Sequence, residues 1–69
     1  MDLSDNELTT IESESFVSLP NLVSIDLSNN EIFIIKPNAF VGLDKLEEIL
    51  LNDNRLEIID NQTFKGYTI

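Results

Sequence analysis

The chain has 69 residues, 42% of them hydrophobic, and its formal net charge at pH 7 is −9. A chain of this length forms at most one small domain, and its acidity argues against nucleic acid or an anionic membrane surface as a partner. The absence of cysteine and histidine excludes a disulfide framework, a thiolate metal site and the common acid–base and thiol mechanisms of catalysis.

The acidic composition also indicates which class of partner is favoured. A basic protein or peptide is electrostatically favoured, whereas nothing in the sequence calls for a cofactor or a metal. No apolar run is long enough to span a membrane, and residues 1–20 lack the basic start and apolar core of a signal peptide. We therefore expect a non-enzymatic protein that binds other macromolecules.

One phrase recurs along the chain with a shift of 24 positions and no gap. It reads MDLSDNELTTI at the start, SIDLSNNEIFII from Ser24 and EILLNDNRLEII from Glu48. A unit this short cannot bury its apolar side chains alone, but it can do so when stacked on copies of itself. The sequence therefore predicts one domain over residues 1–69, built of three stacked repeats, 1–21, 22–45 and 46–69.

Each repeat is predicted to begin with a short strand. In the second repeat Ile25, Asp26 and Leu27 alternate between apolar and polar, which suits a half-buried strand. The turn-forming residues Ser28 to Asn30 end it. Stacked repeats would place such strands side by side in a parallel sheet.

The second half of each repeat is predicted to be irregular. Ile32 and Ile35 would point inward from a loop, and Pro37 disfavours a regular continuation of the backbone. Phe40 and Leu43 lie three residues apart, which predicts a short helical or 3₁₀ turn.

One polar column is the same in all repeats and consists of Asn6, Asn30 and Asn54. An inward-turning loop leaves backbone N–H and C=O groups without partners in a sheet, and a buried amide side chain can satisfy several of them. The alternative is that asparagine only marks a turn. Three asparagines in register favour the structural role.

The stretch LVSIDLSNNEI at residues 22–32 has the pattern LxxLxLxxNxL and resembles the leucine-rich repeat motif. The period of 24 and the endings around Phe16, Phe40 and Phe64 are similar to the typical extracellular subclass, found in Toll-like receptors, Slit-type guidance proteins and adhesion receptors. The resemblance implies an α/β solenoid, a right-handed coil with a concave parallel sheet and a convex side of loops and 3₁₀ turns. It also implies an asparagine ladder and a phenylalanine spine.

The resemblance also sets expectations about the chain's setting. The first repeat starts in mid-strand and neither end carries a cysteine-rich cap, so we expect about three uncapped repeats from a longer receptor or adhesion ectodomain. Asn61, Gln62 and Thr63 form an N-glycosylation acceptor tripeptide, which favours an extracellular or cell-surface location. If Met1 were the true start, the location would be cytoplasmic.

In the family, variable strand positions on the concave side contact protein ligands. The corresponding positions of this chain are Asp2, Ser4, Asp5, Ser24, Asp26, Ser28, Asn29, Glu48, Leu50, Asn52 and Asp53. Asp2 and Asp26 should stand on neighbouring strands, and a cationic partner would relieve their repulsion. A solvated acidic face and a Ca²⁺ site are the alternatives.

Charge is uneven among the repeats. Residues 1–21 carry five acids and no base, giving −5, against −1 for residues 22–45 and −3 for residues 46–69. The predicted function is recognition of a basic protein ligand, with the first repeat as its main contact. The alternative is a structural spacer, or a short repeat unit that self-associates through its open ends.

Overall fold

The computed structural model describes residues 1–16 and 19–59, and within these ranges it contains five short strands and no helix. The strands are β1 (Thr10–Ile11), β2 (Ser24–Asp26), β3 (Ile34–Ile35), β4 (Glu48–Leu50) and β5 (Ile58–Ile59). They form two parallel sheets, in which paired residues lie one repeat apart.

The first sheet pairs β2 with β4, and a parallel bridge between Asp2 and Asp26 adds the first repeat to it. The Asp26 carbonyl accepts a hydrogen bond from the Leu3 amide at 2.8 Å, and Leu27 donates to Leu50 at the same distance. Ile25 and Ile49 are fully buried, whereas the residues on either side of each are more exposed. This alternation follows from the strand period of two. The parallel register of β2 and β4 confirms the predicted pairing.

A second sheet, in the order β1, β3, β5, replaces the irregular loop expected in this part of the repeats. The prediction of a loop was wrong because a two-residue strand is too short to show alternation. The backbone groups of this segment instead form hydrogen bonds between neighbouring repeats. The Phe33 amide donates to the Thr9 carbonyl at 2.9 Å, and the Arg55 amide donates to the Ile32 carbonyl at 3.0 Å. β-Branched isoleucines at both positions of β3 and β5 suit an extended backbone.

The predicted 3₁₀ turn around Phe40 is absent from the described residues, where this segment consists of hydrogen-bonded turns. Asn38 has φ 63° and Gly42 has φ 85°, and such left-handed residues interrupt a right-handed helical segment. The helical part of the expected α/β class is therefore not found here. The rings of Phe16 and Phe40 stack with centroids 5.8 Å apart and an interplanar angle of 3°. Phe64, predicted to continue this stack, lies outside the described residues.

The core contains buried side chains from both sheets and from the segments that connect them. Its fully buried large side chains are Ile25, Leu27, Ile32, Ile35 and Ile49. Four of these five belong to the second repeat, which has a neighbour on each side. Burial of each such side chain stabilises the fold by roughly 1.5–3 kcal/mol relative to an exposed position.

Candidate protein-binding face

The outward face of the first sheet carries the residues that the sequence predicts for binding. Ser24 pairs with Glu48 in register, and the Ser24 hydroxyl donates to the Glu48 carboxylate at 3.2 Å. Asp26 pairs with Leu50 on one side and with Asp2 on the other. The structure therefore brings two carboxylates together at the first-repeat side of the face, while an apolar side chain follows at the other side.

Each of these two carboxylates is held by a serine two residues further along the chain. Asp2 Oδ1 accepts hydrogen bonds from the Ser4 amide at 2.9 Å and from the Ser4 hydroxyl at 2.5 Å. Asp26 Oδ1 accepts the same pair from Ser28, at 3.0 Å and 2.6 Å. The repeated Asp-Leu-Ser sequence thus fixes the orientation of the carboxylates, an arrangement that sequence reasoning missed although the tripeptide occurs twice.

The hydrogen bonds at Asp2 also favour its charged form. The Ser4 hydroxyl, and then the Ser4 amide, hold the pKa of the Asp2 carboxyl below its ordinary value of 3.8. Asp2 is exposed and Asp26 is half-buried, so both are within reach of a partner. Ser28 is only 7% exposed and therefore offers a partner almost no surface.

The column of Asp5, Asn29 and Asp53 has a backbone role that the sequence analysis did not assign. Their φ angles are 55°, 54° and 60°, in the left-handed region that aspartate and asparagine tolerate better than other non-glycine residues. All three are exposed. The signal was present in the sequence, since this column contains only Asp and Asn.

The asparagine side chains that follow this column in the sequence form hydrogen bonds with backbone groups. The Asn30 amide nitrogen donates to the carbonyls of Leu27, Ser28 and Leu3 at 3.0–3.1 Å, and its oxygen accepts from the Leu8 amide at 3.1 Å. Asn54 repeats the arrangement one repeat later, with Leu27, Leu51, Asn52 and Ile32 as partners. These bonds join each repeat to the one before it and set the turn that displays the face.

Other features of the described residues limit the chemistry of the face. Residues 1–16 and 19–59 contain no group of three or more side chains placed to hold a metal ion. Asn61, the predicted glycosylation acceptor, lies outside the described residues.

No helix in the described ranges combines the length and hydropathy needed to cross a membrane.

In both parallel sheets the paired residues lie 24 positions apart, and the asparagine column joins neighbouring repeats. These features define a repeat protein of stacked strand-and-turn units. A family model described as leucine-rich repeat matches residues 1–56 and again residues 24–68, so the chain belongs to the leucine-rich repeat family. The family resemblance seen in the sequence is thereby confirmed. No curated protein and no solved structure matches the chain. Leucine-rich repeats are generally protein-interaction modules.

Proposed function

We propose that this chain is a protein-recognition module whose first-sheet face binds a basic segment of a protein or peptide. The observation that carries the proposal is the bridge between Asp2 and Asp26, which stands two serine-held carboxylates side by side. The net charge of −9 would attract a cationic ligand over a longer range. A receptor or adhesion ectodomain, with the repeats forming a right-handed coil, is the setting we propose; the tripeptide at Asn61 supports it.

Arginine is the side chain that best fits this pair. Neighbouring strands lie about 4.8 Å apart, so one guanidinium can donate to both carboxylates, and its planar fork suits such geometry. Binding would remove the repulsion between the two acids. Because each Oδ1 is already occupied by serine donors, the carboxylates need little reorganisation when the ligand arrives.

The proposal is tested by titrating the protein with a synthetic hexa-arginine peptide, followed by fluorescence anisotropy, at about 20 and about 150 mM NaCl. The double variant Asp2→Asn with Asp26→Asn keeps an acceptor oxygen for each serine and removes both charges. We expect it to weaken binding by roughly tenfold or more. Its control is Glu12→Gln with Glu14→Gln, which removes two charges outside this face.

The control variant should change the affinity by less than about twofold, because its charges lie outside the proposed contact. Equal losses in the two double variants would show that the peptide responds only to net charge. Unchanged binding in the Asp2 and Asp26 variant would place the contact elsewhere. Either result contradicts the proposal.

A further inference from the structure

From the composition of the same face, we infer that Leu50 is a specificity-determining residue, which supports the aliphatic stem of a ligand arginine. The inference rests on the proposed function, because it takes the carboxylates of Asp2 and Asp26 as the site of the guanidinium. It adds an orientation to that function: the arginine side chain lies across the strands, with its stem over the third repeat and its charged head over the first and second.

Leu50 is an apolar side chain on the outward side of the first sheet. In β4 it follows the fully buried Ile49, is itself half-buried, and pairs in register with Asp26. Since successive side chains of a strand point to opposite sides, Leu50 lies on the same side as Asp26. Among the described residues, neither the core nor the half-buried side chains packed against it include Leu50. The core therefore does not account for a leucine at a position that is aspartate in the other two repeats.

This outward side is distinct from the surfaces on which repeats stack. Repeats add to the sheet at its edges, strand beside strand, as the registers of Ser24 with Glu48 and of Asp26 with Leu50 show. Additional repeats would therefore extend the outward side and would not cover it.

Asp2, Asp26 and Leu50 form one row across the three repeats. With strands about 4.8 Å apart, Leu50 lies about 7 Å from the midpoint between the two acids. An extended arginine side chain spans roughly 6 Å from its Cα to its guanidinium carbon. A guanidinium placed between the acids can therefore have its stem over Leu50 and its backbone just beyond.

The composition of the face selects this direction. Along the strand, the nearest outward neighbours of Asp26 are Ser24 and Ser28, both polar, so Leu50 is the apolar surface that the stem can reach from the acids. An arginine side chain combines an apolar stem with a charged head, and the row presents these two properties in the same order. Burial of the stem removes apolar surface from water.

The serine hydrogen bonds leave room for the charged head in this pose. Ser4 and Ser28 both donate to the Oδ1 atom of their aspartate. The Oδ2 atoms of Asp2 and Asp26 accept no hydrogen bond from the part of the chain that the structure describes. The guanidinium fork can donate to both Oδ2 atoms, whereas a lysine on the same stem would offer only a point charge.

Variants of Leu50 test the stem contact with hexa-arginine and fluorescence anisotropy. Leu50→Ala should weaken binding by roughly three- to tenfold, equally at about 20 and about 150 mM NaCl, because an apolar contact is insensitive to salt. Leu50→Met keeps an apolar side chain and should bind within about twofold of the wild type. Val41→Ala is the matched control, since Val41 is an exposed apolar residue outside both sheets. Circular dichroism checks that each variant is folded.

A second peptide separates the stem from the charge. A hexapeptide of 2-amino-3-guanidinopropionic acid carries the same guanidinium groups on a stem of one methylene, too short to reach from the acids to Leu50. It should bind the wild type more weakly than hexa-arginine does, and Leu50→Ala should change its affinity by less than about twofold.

The outcomes distinguish this inference from the function on which it rests. Wild-type protein that does not bind hexa-arginine would overturn both. Binding that is lost in the Asp2→Asn with Asp26→Asn variant but unchanged in Leu50→Ala would overturn the role of Leu50 alone. Equal losses of the two peptides in Leu50→Ala would also overturn it, because Leu50 would then act through the shape of the site and not through the stem.

Discussion

Asn30 and Asn6 occupy the same position of successive repeats but have different surroundings. Asn30 is 7% exposed and its side chain bonds four backbone groups, two of them in the first repeat. Asn6 is exposed and bonds two carbonyls of its own turn. One residue type in one motif position therefore does different work, depending on whether a preceding repeat supplies partners.

Equivalent apolar positions of the second and third repeats show the same contrast. Ile32 is fully buried, whereas Leu56 is 36% exposed. In a stack, each repeat is stabilised through its neighbours, so equivalent residues should contribute unequally to the free energy of unfolding. The second repeat has neighbours on both sides and should contribute most. The following substitutions test this comparison.

The largest expected effect is at the core. Ile32→Ala should lower the free energy of unfolding by about 3–4 kcal/mol, because it opens a cavity among fully buried side chains. Leu56→Ala should cost only about 1 kcal/mol in the monomer, since its side chain is already partly hydrated. Urea unfolding at low protein concentration measures both. Equal losses would contradict the contrast between the repeats.

The asparagine column should show the next largest contrast. Asn30→Ala leaves buried carbonyls and the Leu8 amide without their partner, and should cost about 2–3 kcal/mol. Asn6→Ala removes bonds that water can replace and should cost less than about 1 kcal/mol. Thermal and urea unfolding of the two variants check this, and a greater loss for Asn6→Ala would refute it.

A third comparison concerns backbone strain. Glu14 and Asn38 are equivalent positions with φ of 59° and 63°, but glutamate tolerates this left-handed region less well than asparagine. Glu14→Asn should therefore stabilise the fold by about 0.5–1 kcal/mol, and the reverse change Asn38→Glu should destabilise it. Urea midpoints decide the sign; a destabilising Glu14→Asn would show that the glutamate makes a compensating contact.

The smallest effect concerns pH. Ser4 lowers the pKa of Asp2, so the stability this contributes is present above the ordinary value of 3.8 and is lost as the pH falls through the lower, folded-state pKa. Ser4→Ala should return the pKa of Asp2 towards its ordinary value. A carboxyl NMR titration of the folded protein measures the shift, with Ser15→Ala as the control. An unchanged titration curve would contradict the role of Ser4.

The sequence predicted those parts of the fold that depend on period and polarity. A 24-residue shift aligns Ile25 with Ile49 and places Asp2 beside Asp26, as the structure shows. It did not predict the second sheet, because Ile34–Ile35 and Ile58–Ile59 are strands of two residues whose pairing depends on the neighbouring repeat. Nor did it predict the serine-held carboxylates, which depend on side-chain geometry within the turn.

The contribution of each residue could not be predicted from the motif either. Ser28 and Asn29 lie next to each other on the predicted face. Ser28 is buried and donates a hydrogen bond to Asp26, whereas Asn29 is exposed in a left-handed conformation. The motif gives a position the same role in every repeat, whereas burial depends on which repeats lie beside it. The binding role of the face remains a prediction.

Amide hydrogen exchange tests most directly the central claim that each repeat position is completed by the next repeat. The amides of Leu8 and Ile32 donate to asparagine side chains of the following repeat, at 3.1 Å and 2.9 Å. NMR exchange at low protein concentration should show both strongly slowed, and the amide of Leu56 exchanging at close to the rate of an unfolded chain. Leu56 protected as strongly as Ile32 in the monomer would contradict the account.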